Sequence, residues 1–253
     1  MSLDIQLLYE EGPCLAINKP GGILTQAPPG IESVESRVKC FLKLRDHKPG
    51  KVYLGVPHRL DRPVSGVLVL AKHVRAARRL CEQFEQRTLE KVYWAFVEGH
   101  VLEDSGTWTD HMRKVPDEAR AEVLPADHPD ARLARLAFQV LGRSPLGTWL
   151  EIRLETGRMH QIRLQASRRG FPIMGDELYG ARQSFGPVTE DPRQRWIALH
   201  ARSLSFLHPM TRAPVRLVAP LSPFWRELGI AELDCLGDNV EETAIPGRPH
   251  EDV

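Results

Sequence analysis

The chain is best understood from residues 58–71, which read His58-Arg59-Leu60-Asp61-Arg62-Pro63-Val64-Ser65-Gly66-Val67-Leu68-Val69-Leu70-Ala71. A polar loop with one carboxylate among basic side chains passes directly into five apolar residues, a pattern that predicts a buried strand. A loop that enters a rigid strand is a suitable mount for a reactive side chain. Because an aspartate beside arginines is also typical of a structural salt bridge, this segment alone leaves both interpretations open.

The composition is that of an ordinary globular protein. With 253 residues, 42% of them hydrophobic and 26% charged, the chain can form one large domain or two small ones. We expect no membrane segment and no secretory signal peptide, because no apolar run is long enough and the N-terminus lacks a basic and apolar region. The four cysteines are far apart and form no CxxC pair, which indicates free thiols in a reducing cytoplasm. We therefore predict a cytoplasmic protein.

Charge is distributed unevenly along the chain. Residues 232–253 hold seven acids and one base and so carry −6, which leaves +7 for residues 1–231 at a total of +1. A basic body suits a polyanionic partner, although a solvated surface with excess arginine explains this modest value equally well. We predict one folded domain over residues 1–230 and an acidic, disordered tail over residues 231–253.

The spacing of apolar residues predicts an α+β fold. Helical spacing is found in three segments, residues 33–45, 74–84 and 160–169. Strands are expected as a pair over residues 7–18, and then over residues 67–71, 91–97, 136–141, 148–154, 197–207 and 214–218. Residues 101–131 are interpreted as loops with a short hairpin. Because several neighbouring strands have short connections, we predict a mixed, mostly antiparallel central sheet with flanking helices.

Several common kinds of site have no signal in the sequence. The ten histidines do not follow HxxxH or HExxH spacing, and no cysteines support them, so no metal site is predicted. Neither a GxGxxG segment nor a P-loop is present, and we therefore expect no nucleotide cofactor. The Ser65-Gly66 pair also lacks the GxSxG elbow of a hydrolase.

A second polar group opens the third predicted helix, and it reads Thr156-Gly157-Arg158-Met159-His160-Gln161-Ile162-Arg163. His160 and Arg163 are neighbours at i, i+3 on a helix, and the free N–H groups of a helix start favour anions. An ordinary basic helix start explains these residues equally well.

Six segments together resemble the RluA-type family of RNA pseudouridine synthases, in the family order and over residues 5 to 225. They are Asn18-Lys19-Pro20, His58-Arg59-Leu60-Asp61 with Ser65-Gly66, Lys91-x-Tyr93-x-Ala95-x-Val97-x-Gly99, Thr156-Gly157-Arg158-x-His160-Gln161-Ile162-Arg163, Gly175-Asp176-x-x-Tyr179-Gly180, and Leu199-His200-Ala201 with His208-Pro209. The family commonly has Thr, Thr and His where this chain has Val64, Met159 and Gln165. We expect a stand-alone catalytic domain without an S4-type RNA-binding domain.

The resemblance implies the isomerisation of specific uridines in tRNA or rRNA to pseudouridine. Asp61 matches the catalytic carboxylate of the family, Arg163 the arginine that pairs with it, and Tyr93 the tyrosine that lies against the everted base. No metal, nucleotide or redox cofactor is implied, because the reaction rearranges atoms without net gain or loss. The expected partner is RNA, with no membrane involved and with a monomer as the default.

Four further residues are expected from the resemblance to support RNA binding. Arg59 matches an arginine that family members insert into the stack vacated by the base. Arg158, His160 and Gln161 are expected to act as supports. The alternative function is that of an RNA-binding or folding-assistance protein, which keeps the fold without depending on catalysis; the intact Asp61, Tyr93 and Arg163 argue against it.

Overall fold

One ten-stranded sheet dominates the computed structural model, which describes residues 5–229. Its strands are β1 (Gln6–Glu11), β2 (Cys14–Lys19), β3 (Ser65–Ala71), β4 (Glu90–Glu98), β5 (Ser105–Lys114), β6 (Ala121–Val123), β7 (Arg132–Ser144), β8 (Gly147–Leu154), β9 (Leu199–Leu207) and β10 (Pro214–Val218). The spatial order is β1-β2-β3-β9-β4-β8-β7-β5-β6, and β10 pairs with β9. The predicted tail over residues 231–253 and the boundary at residue 230 lie outside the described residues.

The sheet is antiparallel except where β3 meets β9, so the prediction of a mixed, mostly antiparallel sheet is confirmed. In this parallel pair Ser65 lies opposite His200 and Gly66 opposite Ala201. Gly66 has φ +118°, and a Cβ at this position would lie 2.3 Å from the carbonyl oxygen of Ala201. Only glycine allows the backbones to approach this closely. The contact fixes the end of the Asp61 loop against the centre of the sheet.

Three α-helices accompany the sheet, namely α1 (Val34–Arg45), α2 (Val74–Gln86) and α3 (Gln161–Arg168). All three agree with the predicted segments to within a few residues. The side chain of Ser33 caps α1 by accepting a hydrogen bond from the backbone N–H of Ser36. Among the described residues, no helix combines the length and the apolar character needed to cross a lipid bilayer.

The interpretation of residues 101–131 as loops with a short hairpin is wrong in one important respect. The ten residues of β5 form a full strand, which pairs with β7 from Ser105 opposite Gln139 to Met112 opposite Arg132. Only Trp108 and Met112 are buried along this strand, so its apolar pattern is too sparse to stand out in the sequence. Pairing with a neighbouring strand, rather than local preference, makes this segment a strand.

Helix α3 differs most from the surface helix that its polar sequence indicates. Its first six residues are all buried, among them Gln161, Arg163 and Gln165. The helix packs against β5, β6 and the short 3-10 helix Glu177–Tyr179. The polar side chains of α3 therefore find partners inside the protein, and they bring charge into the interior beside the Asp61 loop.

Candidate active site

A cleft of about 530 Å³ opens beside the loop that precedes β3. The side chains that line it come from this loop, the end of α2, the start of β4 and the turn before α3; those that the site involves most directly are Arg59, Asp61, Arg87, Lys91, Tyr93, Arg158, His160 and Arg163. The structure thus gathers residues that are up to about a hundred positions apart in the sequence. The loop before β3, the end of α2, the strand β4 and the start of α3 with its preceding turn hold these residues in place.

Asp61 presents its carboxylate at the edge of this cleft. Its side chain is 34% exposed, and Oδ2 lies 3.3 Å from Nη1 of Arg163 and 3.5 Å from Nε2 of His160. The carboxylate is therefore accessible from the cleft and is held from the protein side by two nitrogen atoms. The guanidinium of Arg163 supplies a charge-assisted hydrogen bond to this carboxylate.

Arg163 contacts Asp61, but its strongest partner is Asp176, which the sequence interpretation had not assigned to it. Nε and Nη2 of Arg163 donate to the two carboxylate oxygens of Asp176 at 2.6 and 2.7 Å. Both side chains are almost fully buried, at 6% and 2% exposure. The guanidinium is thus oriented by a two-bond pair, and its remaining nitrogen is directed at Asp61.

The position of Asp176 is set by the backbone before it. Gly175 has φ +87°, and a Cβ there would lie 2.6 Å from the carbonyl oxygen of Trp196. The ring of Tyr179, three residues after Asp176, lies under the Arg163 guanidinium with a centroid distance of 5.1 Å. The segment from Gly175 to Tyr179 therefore surrounds the guanidinium with a carboxylate and an aromatic face.

Tyr179 also fixes the tautomer of His160. The Tyr179 hydroxyl accepts a hydrogen bond from the backbone N–H of Ala121 at 2.8 Å, and it lies 2.9 Å from Nδ1 of His160. We assign the hydroxyl proton of Tyr179 to the bond with Nδ1, which places the proton of the neutral imidazole on Nε2, facing Asp61. Burial lowers the pKa of His160, which favours this neutral form.

Lys19 holds the Asp61 loop from beneath. Its ammonium group is completely buried and donates to the carbonyl oxygens of Pro20, Arg62 and Val64 at 2.8, 3.2 and 2.7 Å. Burial lowers the pKa of Lys19 to about 7, while the charge of Asp61 acts in the opposite direction. Three carbonyl acceptors require three N–H donors, which only the ammonium form has, so we assign the charged form. The carbonyl groups on both sides of Pro63 are thereby fixed to β2.

Tyr93 lies on β4 and lines the cleft that contains Asp61. Burial raises the pKa of the Tyr93 phenol above its ordinary value, and the negative charge of Asp61 adds to this shift. The hydroxyl is therefore protonated at neutral pH and is able to donate a hydrogen bond into the cleft. Its strand places it opposite Ile152 of β8 and Ala201 of β9, in the centre of the sheet.

The remaining predicted site residues occupy two different environments. Arg59 is exposed on the edge of the cleft, and Arg158 is half-buried with its Nε donating to the carbonyl of Leu133 at 3.0 Å. Gln161, in contrast, is 3% exposed, and its amide bonds the Thr156 hydroxyl and backbone groups of nearby residues. The amide of Gln161 therefore supports the turn before α3, and it is not directed outward.

Sequence reasoning missed the roles of Asp176, Tyr179 and Lys19. All three stand in the segments that carry the family resemblance, but nothing in those segments shows which residue each one contacts. A carboxylate 13 positions after Arg163 gives no local signal of pairing, because the partners meet only after the chain has turned at Gly175.

This chain belongs to the RNA pseudouridylate synthase family, whose sequence model matches residues 13–168. An uncharacterized RNA pseudouridine synthase from Synechocystis is 32% identical over 235 residues, which are 90% of this chain and 68% of that protein. Ribosomal large subunit pseudouridine synthase D of Xanthomonas campestris is 34% identical over 87% of this chain and 66% of its own length. The chain thus spans about two thirds of the length of these relatives. The family's reaction is the isomerisation of uridine within RNA.

Two solved human structures share the fold. They are RNA pseudouridylate synthase domain containing 4, with a TM-score of 0.71, and domain containing 1, with a TM-score of 0.68. Both are 23% identical in sequence; the first match covers 88% of this chain and 91% of the other, and the second covers 90% and 88%. The expectation of a pseudouridine synthase fold is thereby confirmed.

Proposed function

We propose that the protein converts uridine to pseudouridine in a structured RNA, with Asp61 as the catalytic carboxylate. The observation that carries this proposal is the accessible carboxylate of Asp61, which is held by Arg163 and His160 at the edge of a cleft large enough for a nucleoside. The target uridine leaves its stack, which costs a few kcal/mol, and enters the cleft. The N1–C1′ bond then breaks, the uracil turns, and a C5–C1′ bond forms.

Asp61 supplies negative charge next to the sugar and the base during this exchange. It acts either as a nucleophile or as the group that stabilises positive charge at C1′ when the glycosidic bond is broken. Arg163 donates a hydrogen bond to the carboxylate of Asp61, and its own position is fixed by Asp176. His160 contributes as a positioning residue in this proposal, since its Nε2 faces the same carboxylate oxygen as Arg163. No cofactor enters the reaction.

Tyr93 lies against the everted uracil in this proposal. Its ring offers an apolar face for stacking, and its protonated hydroxyl is suited to relay the hydrogen that C5 loses after the new bond has formed. Arg59, exposed at the edge of the cleft, takes the space that the uracil leaves in the RNA stack. Arg158 contacts the RNA backbone, whereas Gln161 holds the turn that presents Arg158.

The RNA is a ribosomal or transfer RNA. The names of several relatives refer to the large ribosomal subunit, which favours ribosomal RNA. We propose that the protein acts as a monomer in the cytoplasm. Mapping pseudouridines in total RNA from cells with and without the gene identifies the target: the expected result is the loss of specific sites, in ribosomal RNA first of all.

Replacement of Asp61 by asparagine tests the proposed chemistry. Release of tritium from RNA labelled at C5 of uridine is expected to fall on the order of 10³-fold or more in Asp61→Asn, because the charge at the reacting atoms is lost. Folding and RNA binding are expected to persist, since Arg163 keeps its two bonds to Asp176. Equal release by the native chain and Asp61→Asn would refute the role of Asp61. Unchanged pseudouridine content in cells without the gene would instead favour the RNA-binding or folding-assistance alternative.

A further inference from the structure

Within residues 5–229, three cations line one side of the cleft without taking part in the bond exchange proposed above. Arg87 is the residue at the end of α2, Lys91 is the second residue of β4, and Arg158 lies in the turn before α3; all three line the cleft. Within residues 5–229, none of the three forms a salt bridge with a carboxylate. Arg163, which lines the same cleft, differs in forming such a pair with Asp176.

The three cations are close enough to influence one another. A Cβ on Gly157 would lie 3.4 Å from Nζ of Lys91, so the ammonium lies beside the turn that carries Arg158. Burial lowers the pKa of Lys91 and that of Arg158, and the positive charge of Arg87 lowers both pKa values further. The only acidic side chain that lines this side of the cleft is the exposed Glu85, within the described residues. The protein therefore holds positive charges together without compensating them.

The backbone of Arg87 gives an independent reason to assign a function to its side chain. Arg87 ends α2 with φ +55° and ψ +34°, a left-handed conformation that glycine adopts most readily. An arginine at such a position costs of the order of 1 kcal/mol relative to glycine. Its side chain is exposed and forms no hydrogen bond or ion pair within residues 5–229, so no side-chain contact offsets this cost. The guanidinium is available for a ligand outside the chain.

We propose that Arg87, Lys91 and Arg158 form a phosphate-binding rim, which holds the RNA backbone on one side of the uridine that enters the cleft. The planar guanidinium groups suit the paired oxygens of a phosphate, and Lys91 supplies a compact charge beside them. The rim lies next to Tyr93 and Asp61 along the same cleft, so a strand bound there delivers the neighbouring nucleotide to the reacting groups. This inference rests on the proposed function only in taking the polyanion to be RNA.

The chain offers a matched pair of variants for a test. Arg212 is also an exposed arginine with a positive φ, +65°, but it lies in the turn between β9 and β10 and does not line the cleft. Arg87→Gly and Arg212→Gly each remove one positive charge and each relieve a left-handed backbone position. Both are made in the Asp61→Asn background, so that turnover does not alter the RNA during the measurement. The probe is fluorescein-labelled oligouridylate, titrated at several salt concentrations.

Arg87→Gly is expected to weaken oligouridylate binding about fivefold and to lower the slope of log affinity against log salt by about 0.7, the value for one phosphate contact on a single strand. Arg212→Gly is expected to leave both quantities at the parent values. The midpoint of thermal unfolding should not fall in either variant, because glycine is favoured at both positions. Lys91→Gln supplies a second variant of the rim and is expected to lower the same slope.

Equal salt slopes in Arg87→Gly and Arg212→Gly would overturn the phosphate-binding rim, whether or not the native chain forms pseudouridine. The phosphate-binding rim would also be overturned if the protein bound polyglutamate more tightly than oligouridylate and Arg87→Gly lost this binding. That result would indicate an acidic protein as the partner. A reduced slope in Arg87→Gly, with no pseudouridine formed by the native chain, would support the rim and refute the proposed chemistry. The two proposals therefore fail separately.

Discussion

The two sides of the cleft handle charge in opposite ways. On the inner side, the guanidinium of Arg163 is buried and makes two bonds to Asp176, a contact to Asp61 and a contact to the ring of Tyr179. On the outer side, Arg87, Lys91 and Arg158 carry positive charge, and none of them has a carboxylate partner within residues 5–229. The charges of the inner side are paired within the protein, whereas those of the outer side are available to a ligand.

This difference separates the residues that we propose for the reaction from those that we propose for RNA binding. A buried charge without partners is very costly, so the inner side has to be complete before RNA arrives. On the outer side, Arg87 is exposed and Lys91 and Arg158 are half-buried, so water solvates these charges in part until a polyanion displaces that water and its counterions. We therefore expect substitutions on the inner side to affect folding and turnover, and those on the outer side to affect affinity and its dependence on salt.

The largest effect is expected from Asp176→Asn, which leaves the guanidinium of Arg163 buried without its carboxylate. We expect the free energy of unfolding, measured with urea, to fall by about 3–5 kcal/mol. The matched control is Glu32→Gln, which breaks the pair of Glu32 with Arg37, another two-bond pair but at the surface, with 54% and 37% of the two side chains exposed. Its loss should cost about 1 kcal/mol or less. An equal loss of unfolding free energy in Asp176→Asn and Glu32→Gln would mean that burial does not make the Arg163–Asp176 pair more important for stability than a surface pair.

Arg163→Lys is expected to have the next largest effect, on turnover. Lysine keeps the charge but cannot contact both oxygens of Asp176 and also reach Asp61, because its donors share one nitrogen. We expect kcat for pseudouridine formation to fall about 10²- to 10³-fold, the loss typical of one preorganised donor, while RNA binding changes little. An unaffected turnover number would show that the guanidinium geometry is irrelevant to Asp61.

Tyr93→Phe separates the ring of Tyr93 from its hydroxyl. The ring stays in place on β4, so RNA binding should be unchanged, whereas kcat should fall about 10²-fold if the hydroxyl relays a proton. Tyr53→Phe is the control, because Tyr53 is 45% exposed and does not line the cleft. Turnover that is equal in both variants would remove the proton relay and leave Tyr93 with stacking alone.

The smallest effect is expected from mild acid, which should lower stability through buried imidazoles. Burial lowers the pKa of His200 to about 4 and that of His58, which also accepts a hydrogen bond from the N–H of Val69, to about 3. The unfolded chain, with histidine pKa values near 6.5, binds more protons at pH 6 than the folded chain does, so stability falls as the pH falls. From pH 7 to 6 this loss is about 0.7 kcal/mol for His200 and somewhat less for the partly exposed His58.

Urea unfolding at the two pH values checks this expectation. The carboxylates do not contribute in this interval, because their pKa values lie near 4 in the unfolded chain and lower in groups such as Glu10. Equal stability at pH 7 and pH 6 would contradict the neutral state of the two imidazoles. The slope of log affinity for oligouridylate against log salt should be the same at pH 7 and pH 6, since arginine and lysine remain charged.

Much of the fold was predictable from local pattern. The continuous apolar run of β3, the helical spacing of α1 and the aromatic strand β4 each bury enough side chain to show their periodicity in the sequence. The strand β5 was not predictable, because it buries only Trp108 and Met112 and depends on its pairing with β7. The extent of α3 was predicted well, but the burial of its polar side chains was not predictable, because it depends on packing against distant segments.

Residue types and their order along the chain already indicated the family, the sheet class and the candidate carboxylate Asp61, because these depend on motifs that are local in the sequence. Which groups complete the site was settled only by the packing of distant segments. Asp176 reaches Arg163 through the turn at Gly175, and Lys19 reaches the Asp61 loop from across the β2–β3 pair. The sequence gives the type of each side chain, but the partner and the burial of that side chain depend on long-range contacts. These contacts in turn determine the charge state and the position of each group.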